Sequence, residues 1–196
     1  DALGRGMKQI MTLTSDAARK GRMPRHEAAR RAALAGPTID LSGFSRCELV
    51  IEAVVEDLQV KRDVLARIEA ITGPHAIFAT NTSSISISQI ASALQRPSRC
   101  IGLHFFNPAH LMKLVEVISG KLTHPKISHL VMNFSKSLGK IPVEVKDSPG
   151  FIVNRVARHF YVESLKLLEA GISDVEGIDK LMRSAGFKMG PFELMD

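Results

Sequence analysis

The sequence predicts an α/β protein: a mostly parallel sheet covered by helices, followed by an all-helical stretch. Three observations lead there. The β-branched run at residues 47–55, Cys-Glu-Leu-Val-Ile-Glu-Ala-Val-Val, reads as a buried strand. A helical pattern follows at once, with Val60, Val64, Leu65, Ile68 and Ile71 on one face. Further short apolar runs recur downstream, and past Ser148 only helical spacing remains. Strands that alternate with helices imply a parallel sheet with both faces covered.

The elements follow in order. Residues 2 to about 20 carry apolar side chains at helical spacing (Leu3, Met7, Ile10, Met11), and Pro24 opens a second helical stretch over 26–34. After the first strand and its helix, strands are expected at 76–80, 100–105, 114–118 and 141–145, with a helix at 125–138 between the last two. Asp147-Ser-Pro-Gly-Phe151 has the form of a helix start. Asp147 or Ser148 would accept from the first free N–H groups, and Pro149 would fill the first helical position. That helix should run to about Glu169 and end at Gly171. Ser173-Asp-Val-Glu176 has the capping-box pattern for another, extending to Ala185 and stopped by Gly186. A domain boundary is therefore expected near residue 147, giving domains 1–147 and 148–196. There is no internal repeat and no low-complexity linker.

Composition narrows the function. With 196 residues, 45% of them hydrophobic, the chain can bury a core. No apolar run reaches 18 residues and no signal-peptide pattern opens the chain, so a cytoplasmic protein without a membrane partner is expected. Cys47 and Cys100 lie in apolar runs and read as small hydrophobes, with neither a redox nor a metal role. The net charge of +6 is scattered except across Arg19, Lys20, Arg22, Arg25, Arg30 and Arg31. That stretch is either a solvated helix face or a surface for an anionic small molecule. At 5% aromatics there are few stacking platforms, which argues against single-stranded nucleic acid. Both ends look cut: the chain opens at Asp1 in a helical pattern and closes at Asp196 straight after an apolar run.

Parallel sheets bind ligands at the carboxyl ends of their strands. Glu56 after the first strand, Asn81-Thr-Ser-Ser84 after the second and Phe106-Asn-Pro108 after the third would converge there. Each alone reads better as a turn or cap, and it is three such clusters after successive strands that point to a site. The glycine-rich dinucleotide fingerprint is missing. Gly4-Arg-Gly6-Met-Lys-Gln9 lacks the third glycine and a preceding strand, so it is a decoy. If the fold binds a dinucleotide, the acidic residue that holds its ribose lies before Asp1.

His104 sits near the end of an apolar strand, where a histidine is either a satisfied core residue or a base. Glu116 favours the base, because alternating apolar neighbours bury it and a buried carboxylate needs a partner. If the two strands are neighbours, Glu116 can hold the imidazole as a triad carboxylate does, and such a pair can take a proton from an alcohol. Ser83 offers a hydroxyl at the same edge. Asn154, one turn into the helix after Pro149, either faces water or reaches a ligand.

Asn81-Thr-Ser-Ser-Ile85, Gly102-Leu-His-Phe-Phe-Asn-Pro108, Met112-Lys-Leu-Val-Glu-Val-Ile118 and Asp147-Ser-Pro-Gly-Phe-Ile-Val-Asn-Arg155 resemble, in order and spacing, the signature segments of 3-hydroxyacyl-CoA dehydrogenases. The likeness is greatest to the bacterial 3-hydroxybutyryl-CoA branch. The resemblance covers essentially the whole chain. It implies a Rossmann-type sheet lacking its first βαβ segment, followed by the start of an all-helical C-terminal domain that carries the dimer contacts of a homodimeric parent. It also implies NAD as cofactor and an acyl-CoA as substrate, with oxidation of a (3S)-3-hydroxyacyl-CoA to the 3-oxoacyl-CoA.

By the same resemblance, His104 is the base and Glu116 its partner, while Ser83 and Asn154 meet the substrate's 3-oxygen and thioester region. Glu56, Lys61, Ser83 and Asn107 match positions that contact NAD, and Lys20 one that meets the CoA phosphates. His110 departs from the family's usual proline. Two rivals stand beside this reading. One is an inactive remnant or pseudoenzyme serving as an interaction module. The other is a 6-phosphogluconate-type dehydrogenase, whose lysine-based relay the segments around His104 and Glu116 do not resemble.

Overall fold

A computed structural model describes residues 2–195. Packing divides the chain into two units, Asp1–Ser45 and Arg46–Asp196, and residues on both sides of position 147 lie in the second.

The first unit holds α1 (Ala2–Arg19) and α2 (Arg25–Ala33), joined by a turn that uses Gly21 at φ 68°. No residue of α1 is buried, and α2 buries only Ala28. Pro24 is the N-cap of α2. The basic stretch here is largely a solvated face of short-range pairs. Arg30 and Arg31 both reach Glu27 at 2.8 Å, and Arg19 reaches Asp16 at 3.0 Å. Hydrogen bonds from Arg30 and then Arg31 hold the Glu27 carboxyl down at about 2.

The second unit is built on a five-stranded sheet of order β1-β2-β3-β4-β5. The strands are β1 (Leu49–Glu52), β2 (Ile77–Thr80), β3 (Cys100–Phe105), β4 (Leu114–Ser119) and β5 (Ile141–Lys146). Three pairings are parallel; β3 and β4 are antiparallel. The exception follows from chain length. Residues 106–113 join β3 to β4 with no helix, too short for the crossover that a parallel pair needs. Elsewhere α3 (Leu58–Glu69) links β1 to β2, α4 (Ile87–Ala91) links β2 to β3, and α5 (Pro125–Ser137) links β4 to β5. Helices α6 (Val153–Glu169) and α7 (Val175–Ser184) follow the sheet.

Side-chain alternation sorts the core. On one face Ala79, Ile101, Leu103, Val115 and Val117 pack with Ile127 and Val131 of α5. The other face carries Glu52, Thr80, Gly102, His104, Glu116 and Ile118, matched across the strand register. Gly102 is what lets α4 approach this face. A Cβ there would lie 2.7 Å from Ile87 Cδ1 and 2.9 Å from Ile118 Cβ.

Several expectations change. β1 ends at Glu52 rather than near 55, because local bonds turn the chain out of the sheet: Val54 N–H donates to Glu52 Oε1 at 2.6 Å and Asp57 N–H to Val55 C=O at 2.8 Å. As an edge strand among the described residues, β1 leaves Ile51 43% exposed, so it is not buried on both faces. The inner stripe of α3 is Lys61, Leu65, Ile68 and Glu69, while Val60 and Ile71 face outward. Asp147 does not cap the helix that follows it. Its carboxylate accepts from Ser86 Oγ, Ile87 N–H, Ser88 N–H and Ser88 Oγ, and so caps α4, a helix the sequence reading passed over. Pro149 lies in a turn before α6 instead of at its first position, and Asp174 rather than Ser173 caps α7.

Candidate active site

Antiparallel pairing sets His104 directly opposite Glu116. Their side chains meet at 2.8 Å, Nδ1 to Oε2, with His104 7% and Glu116 1% exposed. The imidazole is near two tilted rings, Phe106 with centroids 4.5 Å away and Phe151 at 5.9 Å. The second carboxylate oxygen of Glu116 is also engaged. Ile152 and Val153 N–H both donate to Oε1 at 2.9 Å, so Glu116 supplies the cap that α6 lacks from its own sequence. Gly150 (φ 73°) and Phe151 (φ 48°) make the left-handed turn that precedes these two amides, and the buried Phe151 pays backbone strain for its place beside His104. Three hydrogen bonds, one on Oε2 and two on Oε1, hold the Glu116 carboxylate in position.

A second cluster lies at the ends of β1 and β2. Glu56 Oε1 accepts from Thr82 Oγ1 (2.6 Å), Ser83 N–H (2.9 Å) and Ser84 N–H (3.2 Å), and from both serine hydroxyls. Burial works to raise the Glu56 carboxyl. The bonds from Thr82 and Ser83, together with Lys61, outweigh it and bring the group to about 2. Lys61, 1% exposed, reaches Glu52 Oε1 at 2.9 Å and Glu56 Oε2 at 3.2 Å. Thr80 Oγ1 donates to the other oxygen of Glu52 at 2.6 Å. Asn81 Oδ1 accepts from Phe105 N–H at 2.8 Å and ties the ends of β2 and β3 together.

Of the residues singled out from sequence, His104 and Glu116 form one bonded pair, and Glu56, Lys61 and Ser83 form another group. Asn154 links the two, since its Nδ2 donates to Ser83 C=O at 3.3 Å while the amides just before it hold Glu116. Asn107 and His110 are exposed in the 106–113 connection, and Lys20 is exposed in the first unit, just past α1. Glu52, Thr80 and the packing of Phe151 beside the imidazole were not among the sequence expectations, and Phe106 was expected at this edge only as part of the turn after the third strand. Glu52 was open to the argument used for Glu116: it too is a carboxylate inside an apolar strand. Cys100 is buried, and burial pushes its thiol up to about 12, so it is an inert core residue. Among the described residues no group of His, Cys, Asp and Glu could hold a metal ion, and no helix is long and apolar enough to cross a membrane.

The donor set fits part of a nicotinamide dinucleotide. Hydroxyls of Ser83 and Ser84, the Asn107 amide and the exposed Val54 and Val55 lie at or just beyond the carboxyl ends of β1, β2 and β3, where such a ligand is held. For its pyrophosphate, the 196 residues hold no glycine-rich strand-to-helix loop.

A mostly parallel sheet with polar turns at its carboxyl edge, followed by helices, is a Rossmann-type architecture, and a buried histidine–carboxylate pair lies beside those turns. Residues 1–148 match the 3-hydroxyacyl-CoA dehydrogenase NAD binding domain, and residues 150–196 match the C-terminal domain of the same family. The whole chain is 41% identical to 27% of the fatty acid oxidation complex subunit alpha of Pseudomonas savastanoi pv. phaseolicola. Over 150 residues, 76% of the chain is 49% identical to 48% of human mitochondrial hydroxyacyl-coenzyme A dehydrogenase. The chain thus spans between about a quarter and a half of these relatives' length. Among solved structures, 3-hydroxybutyryl-CoA dehydrogenase from Escherichia coli superposes with TM-score 0.94 at 41% identity, over 98% of this chain and 41% of that one. FadB2 of M. tuberculosis does so with TM-score 0.92 at 35% identity, over 98% and 68%. The chain belongs to the 3-hydroxyacyl-CoA dehydrogenase family.

Proposed function

We propose that the chain carries the catalytic centre of an NAD-dependent dehydrogenase that oxidises (3S)-3-hydroxyacyl-CoA to 3-oxoacyl-CoA in fatty acid metabolism. Residues 1–147 form its NAD-binding part and 148–196 its helical part. The observation that carries the reading is the buried His104–Glu116 contact at 2.8 Å. With Nδ1–H donated to Glu116, His104 presents Nε2 as an acceptor and takes the proton of the 3-hydroxyl. Glu116 stabilises the imidazolium that forms, and the two amides on its other oxygen keep it in place through the cycle. Ser83 and Asn154 orient the 3-oxygen and the thioester. When bound, NAD supplies the hydride acceptor. Glu56, Ser83 and Asn107, with Lys61 beside them, would hold its nicotinamide half, and Lys20 would meet the CoA phosphates.

A homodimer without nucleic-acid or membrane partners belongs to the same proposal. Supporting it are the apolar residues that α6, α7 and the segment after α7 expose, among them Val156, Leu181 and Phe187. The reduced, buried Cys100 suits the cytoplasm. The test is the rate at which 3-hydroxybutyryl-CoA reduces NAD. His104→Ala is expected to lower it by about 10²–10⁴ at unchanged NAD affinity. A variant within a fewfold of the parent rate removes His104 as the base.

A further inference from the structure

The connection between β3 and β4 carries Phe106, whose ring lies beside the His104 imidazole, and Asn107, just beyond the carboxyl end of β3. Every residue from Asn107 to Lys113 is exposed, so no buried side chain anchors this segment to the core. Its inner bonds close a single turn: the Leu111 and Met112 N–H groups both donate to Pro108 C=O, at 2.9 and 3.0 Å. Two neighbouring residues tie that turn to the fold. Ile141 N–H donates to Lys113 C=O at 2.8 Å, and the Lys140 ammonium donates to Ala109 C=O and, at 2.7 Å, to Met112 C=O. We propose that Lys140 is a positioning residue: it fixes the connection at residues 106–113 and, through Asn107, raises the affinity for NAD.

Lys140 can hold the connection because its own main chain is held. α5 ends in a Schellman motif: Gly139, at φ 73°, donates its N–H to Lys136 C=O at 2.9 Å, and Lys140 N–H donates to Ser135 C=O at 3.1 Å. Glycine takes that left-handed conformation without the penalty a Cβ would bring. Ser135 is buried, and α5 packs on the sheet through Ile127 and Val131. The ammonium therefore reaches from a helix end fixed on the core to a turn that has no anchor of its own. Carbonyls left free at the end of a turn carry partial negative charge, which a cation complements. Without Lys140 the turn keeps its inner bonds and the tie at Lys113, but nothing holds its outer side at residues 109–112. Asn107 would then stand in its binding geometry for only part of the time, and the apparent affinity of a ligand it holds falls in proportion to that fraction.

The part of this inference that concerns NAD rests on the function proposed above; the ordering of the connection stands on the contacts alone. Both are read in the full-length protein, for Lys140→Met, Lys140→Arg, Asn107→Ala and the double variant Asn107→Ala with Lys140→Met. Hydrogen exchange at the Leu111 and Met112 amides reports the turn, and exchange at the buried Val117 of β4 reports global stability. The NAD dissociation constant from calorimetry, with KM for NAD and kcat, reports the site.

Lys140→Met is expected to speed exchange at Leu111 and Met112 but not at Val117, and to weaken NAD about three- to tenfold, as for loss of a charged hydrogen bond. KM for NAD should rise with it while kcat at saturating NAD changes much less, because bound NAD itself draws the connection into place. Lys140→Arg, which keeps the charge and the donors, should restore most of the affinity. In the Asn107→Ala background, adding Lys140→Met should leave NAD affinity where it is. A loss of affinity that persists in that background would overturn the inference, and so would faster exchange with unchanged affinity or unchanged exchange at the two amides. If the parent protein binds no NAD, the proposed function fails, while exchange at Leu111 and Met112 still decides whether Lys140 holds the connection.

Discussion

Glu116→Gln keeps the shape of the side chain and removes its charge, and the structure determines which way the amide must turn. The carboxylate serves three donors, His104 Nδ1 on one oxygen and the Ile152 and Val153 amides on the other. Glutamine has one oxygen and one NH2 for these two sides. Turning the NH2 toward α6 would leave two part-buried backbone N–H groups without their acceptor, at up to about 1–3 kcal/mol each. Turning it toward His104 costs far less, because the imidazole can answer by moving its proton. The oxygen therefore stays on the helix, by up to roughly 2–6 kcal/mol.

Facing an NH2 donor, Nδ1 must be bare, so the proton sits on Nε2, where a base is required. By analogy with the Asp-to-Asn change in the serine protease triad, kcat should fall by about 10²–10⁴ while NAD affinity holds. Because the α6 cap survives, the urea unfolding free energy should drop by only about 1 kcal/mol. The assay is steady-state turnover of 3-hydroxybutyryl-CoA for the parent, Glu116→Gln, His104→Ala and the double variant. The double should be hardly worse than His104→Ala alone, since the pair acts as a unit. Additive losses, or a Glu116→Gln enzyme within a fewfold of the parent, would show that Glu116 only caps α6 and that His104 works without it.

The 196-residue chain by itself is expected to bind NAD weakly, since no glycine-rich loop in it cradles a pyrophosphate; submicromolar affinity in a titration would contradict this. Gly102→Ala should cost about 1–3 kcal/mol in urea unfolding, because the new methyl meets Ile87 and Ile118 side chains that line a close-packed core. No loss would mean that α4 moves away freely. Asp147→Ala removes the acceptor for four donors at the start of α4 and should cost about 1–2 kcal/mol, read the same way. Hydrogen bonds also hold the folded Asp147 and Glu56 carboxyls below their ordinary values against the opposing effect of burial. The unfolded chain therefore takes up protons first on acidification. Stability from Glu56 is complete above its ordinary 4.5 and is lost as pH falls toward about 2. Glu56→Gln should flatten that part of the stability profile, and an unchanged profile would refute the assignment.

Much of this was legible in the chain. Five strands were placed to within a few residues, because short runs of β-branched and apolar residues bounded by turn formers have few other uses. The candidate base and its carboxylate were legible because charge inside an apolar strand demands a partner. Glu52, in the same situation, waited for the structure to reveal Lys61 as its counter-ion. Helix caps were the weakest point. Asp147 and Glu116 each cap a helix far from themselves in sequence, and local patterns see only near neighbours.

The sequence by itself determined the strand and helix periods, the family signatures and the identity of the paired groups, since each depends on residue type and spacing along the chain. Only the tertiary structure decided that β4 runs antiparallel to β3, and that pairing brings His104 opposite Glu116. Only the structure showed Glu116 dividing its two oxygens between an imidazole and the first amides of α6. Such arrangements join residues 12 to 37 positions apart through hydrogen bonds that form once the backbone is folded around them.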